Sequence, residues 1–247
     1  MKIAFSTTDC PGQDFESAAM LAGRCGYDAV ELSSANALAN TPDIIRRTYT
    51  DANVALSSIH VGSDISQLSQ LLTLAIEIGC DFVRIAGDAT FTSAGINRLL
   101  TCADIAAEGG IGILIDNQPV TGSALRLWNL LDRLNHPGIG CCWNTLTAAL
   151  ANDAPAVAIP MLNSRIRYLH LQDAKFKGTQ TARCDIGQGD LPLQNTTNRM
   201  RGIGYDGCIL VGLAQQPDPD PARFEQSLLA ARAVLQQWQV LPAPVPG

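Results

Sequence analysis

Short apolar runs that end on polar residues recur along this chain, and stretches of helical spacing separate them. Runs of this length, rich in β-branched and aliphatic residues, predict buried strands. They fall at Ile3 to Ser6, Asp28 to Ser33, Val54 to His60, Phe82 to Ala86, Ile111 to Asp116, Ile139 to Asn144, Ile166 to Leu171 and Cys208 to Val211. The intervening segments repeat apolar residues three and four apart, as one face of a helix requires. Helices are predicted from Phe15 to Arg24, from Pro42 to about Ala52, from Leu68 to Gly79 and over Ile96 to Ala103. Others follow from Ser123 to Leu134, within Leu191 to Gly202, and after Asp220-Pro221, where Phe224, Leu228, Ala231, Leu235 and Trp238 form one stripe. Leu146 to Met161 reads as a helix broken at Pro155 and Pro160.

A weak internal repeat supports this segmentation. Gly26-Tyr27-Asp28, Gly79-Cys80-Asp81 and Gly204-Tyr205-Asp206 each close a helix and open an apolar run. Glycine supplies the left-handed cap there. Eight strand–helix pairs in a chain of 247 residues predict a single-domain α/β fold, the (β/α)8 TIM barrel, which typically takes about 250 residues. The barrel is expected over residues 1–240, and residues 241–247 read as a Pro-rich C-terminal tail. A doubly wound open sheet is the other fold considered. It usually carries a Gly-rich turn after its first strand, where this chain has Thr7-Thr8-Asp9-Cys10-Pro11-Gly12.

Composition narrows the function. The chain is 47% hydrophobic and only 16% charged, with a net charge of −6. No global basic footprint for nucleic acid exists, and an anionic membrane surface gains no electrostatic attraction. No run reaches the length of a membrane span, and the first residues read as a strand rather than a signal peptide. The eight cysteines contain no C-x-x-C pair. Buried, reduced thiols in a cytoplasmic protein are the expectation.

A barrel places its chemistry at the carboxyl ends of its strands. Those ends carry Glu31, His60, Arg84 with Asp88, Asp116-Asn117-Gln118, Asn144, and His170 with Gln172 and Asp173. Asp116 and His170 are the catalytic candidates. Glu31, His60, Arg84, Asn144 and Lys175 are the substrate-binding candidates. Glu31 is also placed to pair with a cation such as Arg84, and Asp116 to cap the loop that follows it. A histidine between Leu169 and Leu171 on a central strand needs a polar partner. Lys175, Lys177 and the Gly187-Gln188-Gly189 turn form a polar loop expected to fold back over the mouth. His136, beside Pro137, reads as a turn residue at the opposite face.

At these positions the sequence resembles the xylose isomerase-like TIM-barrel superfamily of sugar (phosphate) isomerases, epimerases and family-2 apurinic endonucleases. The resemblance rests on Gly26 to Leu32, Ser57 to His60, Ile113 to Gln118, Cys142 to Thr145, Tyr168 to Asp173, Ile186 to Asp190 and Gly204 to Leu210. It implies a divalent metal (Mn, Mg, Co or Zn) held at the ends of strands five to eight by Glu, Asp, His and Glu. The matching residues here are Asp116, Asn144, His170 and Gly212. Formal negative charge falls from three carboxylates to one, so the implied metal set of Asp116, Asn144 and His170 is expected to bind a hard ion weakly or not at all. The trinuclear zinc site of the endonucleases cannot be built from three histidines. The resemblance implies a sugar or sugar phosphate as ligand, isomerase or epimerase chemistry with an altered metal site, and homo-oligomer formation. The alternative is a non-catalytic, metal-free relative that binds a small ligand or a partner.

Overall fold

A computed structural model describes residues 1–10, 14–87, 92–118, 122–214 and 220–241 of the chain. Asp88 and residues 242–247 of the expected tail lie outside them. Eight parallel strands close into a barrel: β1 (Lys2–Ser6), β2 (Ala29–Ser33), β3 (Ala55–Gly62), β4 (Phe82–Ala86), β5 (Gly112–Asp116), β6 (Ile139–Asn144), β7 (Ile166–Leu171) and β10 (Cys208–Val211). β1 joins β2 on one side and β10 on the other, with Lys2 opposite Cys208 and Phe5 opposite Val211. The predicted barrel is therefore the observed fold, and the open sheet is excluded.

The helices form the outer layer: α1 (Phe15–Cys25), α2 (Ser34–Leu38), α3 (Pro42–Asp51), α4 (Leu68–Ile78), α5 (Ser93–Glu108), α6 (Ala124–Leu134), α7 (Thr145–Leu150), α8 (Pro155–Leu162), α9 (Leu193–Gly202) and α10 (Pro221–Gln237). Their ends follow local chemistry. Asp14, Thr92 and Ser123 cap α1, α5 and α6 by accepting backbone N–H groups, each cap stabilising its helix by about 1 kcal/mol. Gly26 and Gly79 end α1 and α4 at φ +68° and +73°, a region that favours glycine. Pro155 starts α8 instead of only breaking a helix, and α8 runs through Pro160 before ending at Leu162. Among the described residues, no helix is long and apolar enough to cross a membrane.

The segment after β7 was expected to be a polar loop. It is a two-stranded antiparallel hairpin, β8 (Asp173–Lys177) and β9 (Gln180–Cys184), turned at Gly178 with φ +61°. The Asp173 carboxylate explains its fixed base. It accepts the backbone N–H groups of Ala174 at 2.9 Å, Gly187 at 2.9 Å and Gly189 at 3.0 Å. Gly189 passes so close that a Cβ there would stand 2.1 Å from Asp173 Oδ1. The Gly-Gln-Gly turn thus folds back onto Asp173.

Two apolar layers make the core. Ile3, Phe5, Val30, Leu32, Ile59, Val83, Ile85, Ile113, Ile115, Trp143, Leu169 and Ile209 point outward and pack against the helices. Ala4, Ala29, Leu114, Cys142, Tyr168, Cys208 and Leu210 point inward and fill the barrel. Two residues further along, the inward positions on β2 and on β4 to β7 turn polar and β10 brings a glycine, since the side-chain period is two. Ala29 is followed by Glu31, Phe82 by Arg84, Leu114 by Asp116, Cys142 by Asn144, Tyr168 by His170 and Leu210 by Gly212.

Candidate functional site

That upper layer is the candidate site. Its centre is the Arg84 guanidinium. Arg84 donates from Nε to Glu31 Oε2 at 2.7 Å and from Nη2 to Glu31 Oε1 at 2.6 Å. It donates from Nη1 to Asp116 Oδ2. Ser58 Oγ donates to Glu31 Oε2 at 2.6 Å. Glu31, Arg84 and Asp116 are exposed by only 0%, 4% and 2%, so this is a desolvated triad with a net charge of −1. Burial alone would raise the Glu31 carboxyl. The charge and hydrogen bonds of Arg84, with help from His60 and Ser58, outweigh burial and bring it down to about 2. Burial would lower Arg84, but Asp116 and Glu31 hold it well above its ordinary value.

Asn144 is committed at both ends of its amide. Its Oδ1 caps α7, accepting Leu146 N–H at 3.0 Å and Thr147 N–H at 3.1 Å. That fixes Nδ2 as the donor, to Gln172 Oε1 at 2.9 Å and His170 Nδ1 at 3.2 Å. Asn117 locks the Asn144 backbone, accepting its N–H at 2.6 Å and donating to its carbonyl at 3.0 Å. His170 Nδ1 is thus an acceptor, and the ring proton sits on Nε2. That N–H is buried and has no hydrogen-bond partner among the described residues. Burial first, then Arg84, drives the His170 pKa well below the ordinary histidine value, so the ring is neutral. His60, at the end of β3, is half-buried. Its pKa is also lowered, by burial and by Arg84.

Gly212 closes the ring from β10. A Cβ there would stand 2.6 Å from Gln172 Cγ and 2.9 Å from His170 Nε2. No side chain fits beside these two, which accounts for glycine at this position.

The structure therefore brings Glu31, His60, Arg84, Asp116, Asn144 and His170 together. Lys175 and Lys177 are exposed on the hairpin. Lys175 pairs with Ala182, whereas Arg183 pairs with Ala174 on the opposite, buried face. Arg183 is the hairpin cation that reaches the mouth: its Nη2 donates to Leu213 O at 2.7 Å and lies 3.7 Å from Asp9 Oδ1. Asp9 sits on the 3-10 turn Thr7–Asp9 directly after β1. Burial raises its carboxyl to about 6, Arg183 and Arg84 pull it down, and Glu31 pushes it up. Neither Asp9 nor Arg183 stood out in the sequence. The available signals were the position of Asp9 at the end of β1 and the alternation Ala174, Phe176 around a glycine turn, which marks a hairpin. His136 lies at the other end of the barrel, before β6, where Nδ1 accepts Gly138 N–H at 3.0 Å and Nε2 meets Asp104 at 3.2 Å.

A family profile described as the xylose isomerase-like TIM barrel matches residues 20–234. The chain belongs to this family. Solved structures agree on the fold. D-psicose 3-epimerase with D-tagatose, from Clostridium cellulolyticum H10, superposes with a TM-score of 0.80 at 13% identity, covering 96% of this chain and 99% of that one. The IolI protein with a bound zinc atom gives 0.77 at 14% identity over 97% of both chains. A xylose isomerase-like TIM barrel/4-hydroxyphenylpyruvate dioxygenase fusion protein gives 0.77 at 18% identity. There 99% of this chain covers only 45% of the longer partner. No curated protein matches the sequence.

The positions where the family holds a divalent ion carry Asp116, Asn144, His170 and Gly212 in this chain. Among the described residues, no group of three or more His, Cys, Asp or Glu side chains is arranged to hold one. Asp116 shares the Arg84 cation, the Asn144 amide is spent on the α7 cap, Gln172 and His170, and Gly212 has neither a side chain nor room for one. This donor set does not fit the ion as it stands.

Proposed function

We propose that the barrel mouth binds a small polyhydroxylated carbonyl compound, a sugar or sugar phosphate. The protein is then an isomerase- or epimerase-type enzyme of this family with an altered metal site. One observation carries the reading. The Nε2–H of His170, oriented by Asn144, is buried and left without a partner in a polar layer whose own cation, Arg84, is already paired with Glu31 and Asp116. A buried donor without an acceptor is costly unless a ligand or water meets it. A carbonyl or hydroxyl oxygen is the acceptor this site lacks. The sugar bound to the D-psicose 3-epimerase supports the ligand class, and the eight free cysteines support a reducing, cytoplasmic setting.

Dialysis against EDTA followed by elemental analysis, with thermal shifts and NMR on D-tagatose and D-fructose, tests this. The expected result is less than one divalent ion per chain, a sugar-dependent rise in Tm, and conversion of at least one ketose without added metal. One tightly held ion per chain would sink the altered-site reading. Absence of both binding and conversion across a panel of ketoses and aldoses would sink the enzyme reading in favour of a non-catalytic relative.

A further inference from the structure

Isomerisation of a hydroxy-carbonyl compound needs a base for the C–H proton and donors for the oxygen that gains charge. Most carboxylates near the mouth are already bound. Glu31 is fully buried and held through both oxygens by Arg84 and Ser58. Asp116 is buried against Arg84. Asp173 holds the backbone of the Gly-Gln-Gly turn, and Asp185 accepts Ser227 Oγ at 2.8 Å and Ala214 N–H at 3.3 Å.

Asp9 differs. Its side chain is 17% exposed, and Arg183, its ion-pair partner, stands 3.7 Å away, beyond hydrogen-bond length. The charges acting on it are Arg183 from β9, Glu31 from β2 and Arg84 from β4, and the Leu213 backbone after β10 supplies a hydrogen bond. Arg183 also acts electrostatically on His170. Arg183 Nη2 also donates to Leu213 O at 2.7 Å, one residue beyond Gly212. The Gly212 backbone lies so close to His170 that a Cβ there would stand 2.9 Å from Nε2. One cation thus sits beside the reachable carboxylate and next to the segment that borders the unpartnered Nε2–H.

We propose that Asp9 is the group that moves the proton in this site, with His170 Nε2–H and Arg183 holding the substrate's carbonyl oxygen. The proposal rests on the isomerase-type reading and sharpens it. Asp9 takes the proton from the carbon beside the carbonyl. The C–H electron pair becomes the C=C bond of an enediolate, and the C=O π pair moves onto oxygen. The carboxylic acid then returns the proton to the neighbouring carbon, while the hydroxyl proton crosses between the two adjacent oxygens. Atoms balance, and no oxidant or co-reactant is needed. A single mobile carboxylate delivers its proton to the face it took it from. The site therefore favours ketose–aldose interconversion over epimerisation, which inverts a carbon and needs groups on both faces.

The test is affinity labelling of the EDTA-dialysed protein with 3-bromo-1-hydroxypropan-2-one, read by peptide mass spectrometry. A carboxylate beside the bound carbonyl displaces bromide and becomes an ester. The expected result is one ester per chain on Asp9, labelling that accelerates as pH rises through the titration of Asp9, and at least ten-fold slower labelling of Asp9→Asn. Esterification elsewhere, or alkylation of Cys184 or His60 with Asp9 untouched, overturns the assignment, as does undiminished labelling of Asp9→Asn. Labelling needs no turnover. Asp9 labelled in a protein that converts no sugar would overturn the isomerase reading and leave Asp9 standing as the reactive carboxylate.

Discussion

Arg84 decides the electrostatics of the mouth. A lone arginine among Glu31, His60 and Asp116 could have pointed toward a ligand. Instead two of its nitrogens meet one carboxylate and a third meets the other. Removing one partner of such a buried group leaves charge unpaired, which costs several kcal/mol. The pH dependence follows with a definite sign. The folded Glu31 carboxyl lies at about 2, below its unfolded value of 4.5, so its contribution is fully present above pH 4.5 and is lost as pH falls toward 2. The difference is on the order of 3 kcal/mol. Urea denaturation across this range should show wild type losing that much relative to Glu31→Gln, with the variant the less stable of the two at pH 7. Parallel pH curves would show that Arg84 does not hold Glu31 ionised.

At the scale of elements, α7 and β7 share one residue. Asn144 caps the helix with its oxygen and orients His170 with its nitrogen. The two tasks can be separated. Asn144→Ala loses both and should cost about 1–2 kcal/mol through the cap alone. Asn144→Asp keeps an acceptor for α7 but places an acceptor opposite His170 Nδ1. The ring proton should then move from Nε2 to Nδ1, visible in the heteronuclear NMR shifts of the imidazole nitrogens, while stability stays closer to wild type than in Asn144→Ala. An unchanged tautomer would mean that Asn144 does not set it. The hairpin teaches a related lesson. Lys175, one of the substrate-binding candidates, lies exposed on the hairpin, and Arg183 from the returning strand bonds Leu213 at the end of β10.

At the scale of the molecule, the barrel exists only once β1 pairs with β10, which joins residues far apart in the chain. Closure is all-or-none, because either strand alone would leave a row of unpaired backbone groups. Amide exchange in Ile3 to Phe5 and in Ile209 to Val211 should therefore report one common opening free energy, equal to that of global unfolding. Exchange of β1 at a clearly lower cost than β10 would refute a single cooperative barrel.

The sequence by itself determined the eight barrel strands, their parallel order and the polar residues at the carboxyl ends of β2 to β7. Those depend on local periodicity and on glycine and proline signals, which are written in adjacent residues. It also placed Glu31, Arg84, Asp116, Asn144 and His170 in one layer, because strand ends converge in any closed barrel. Tertiary structure alone decided which of them bond to each other: that Arg84 takes both carboxylates, that Asn144 serves a helix and a histidine, that Gly212 leaves no space, and that Asp9 and Arg183 meet across the mouth. Hydrogen bonds and desolvation depend on distances of a few tenths of an ångström between segments remote in sequence, and no spacing along the chain encodes those distances.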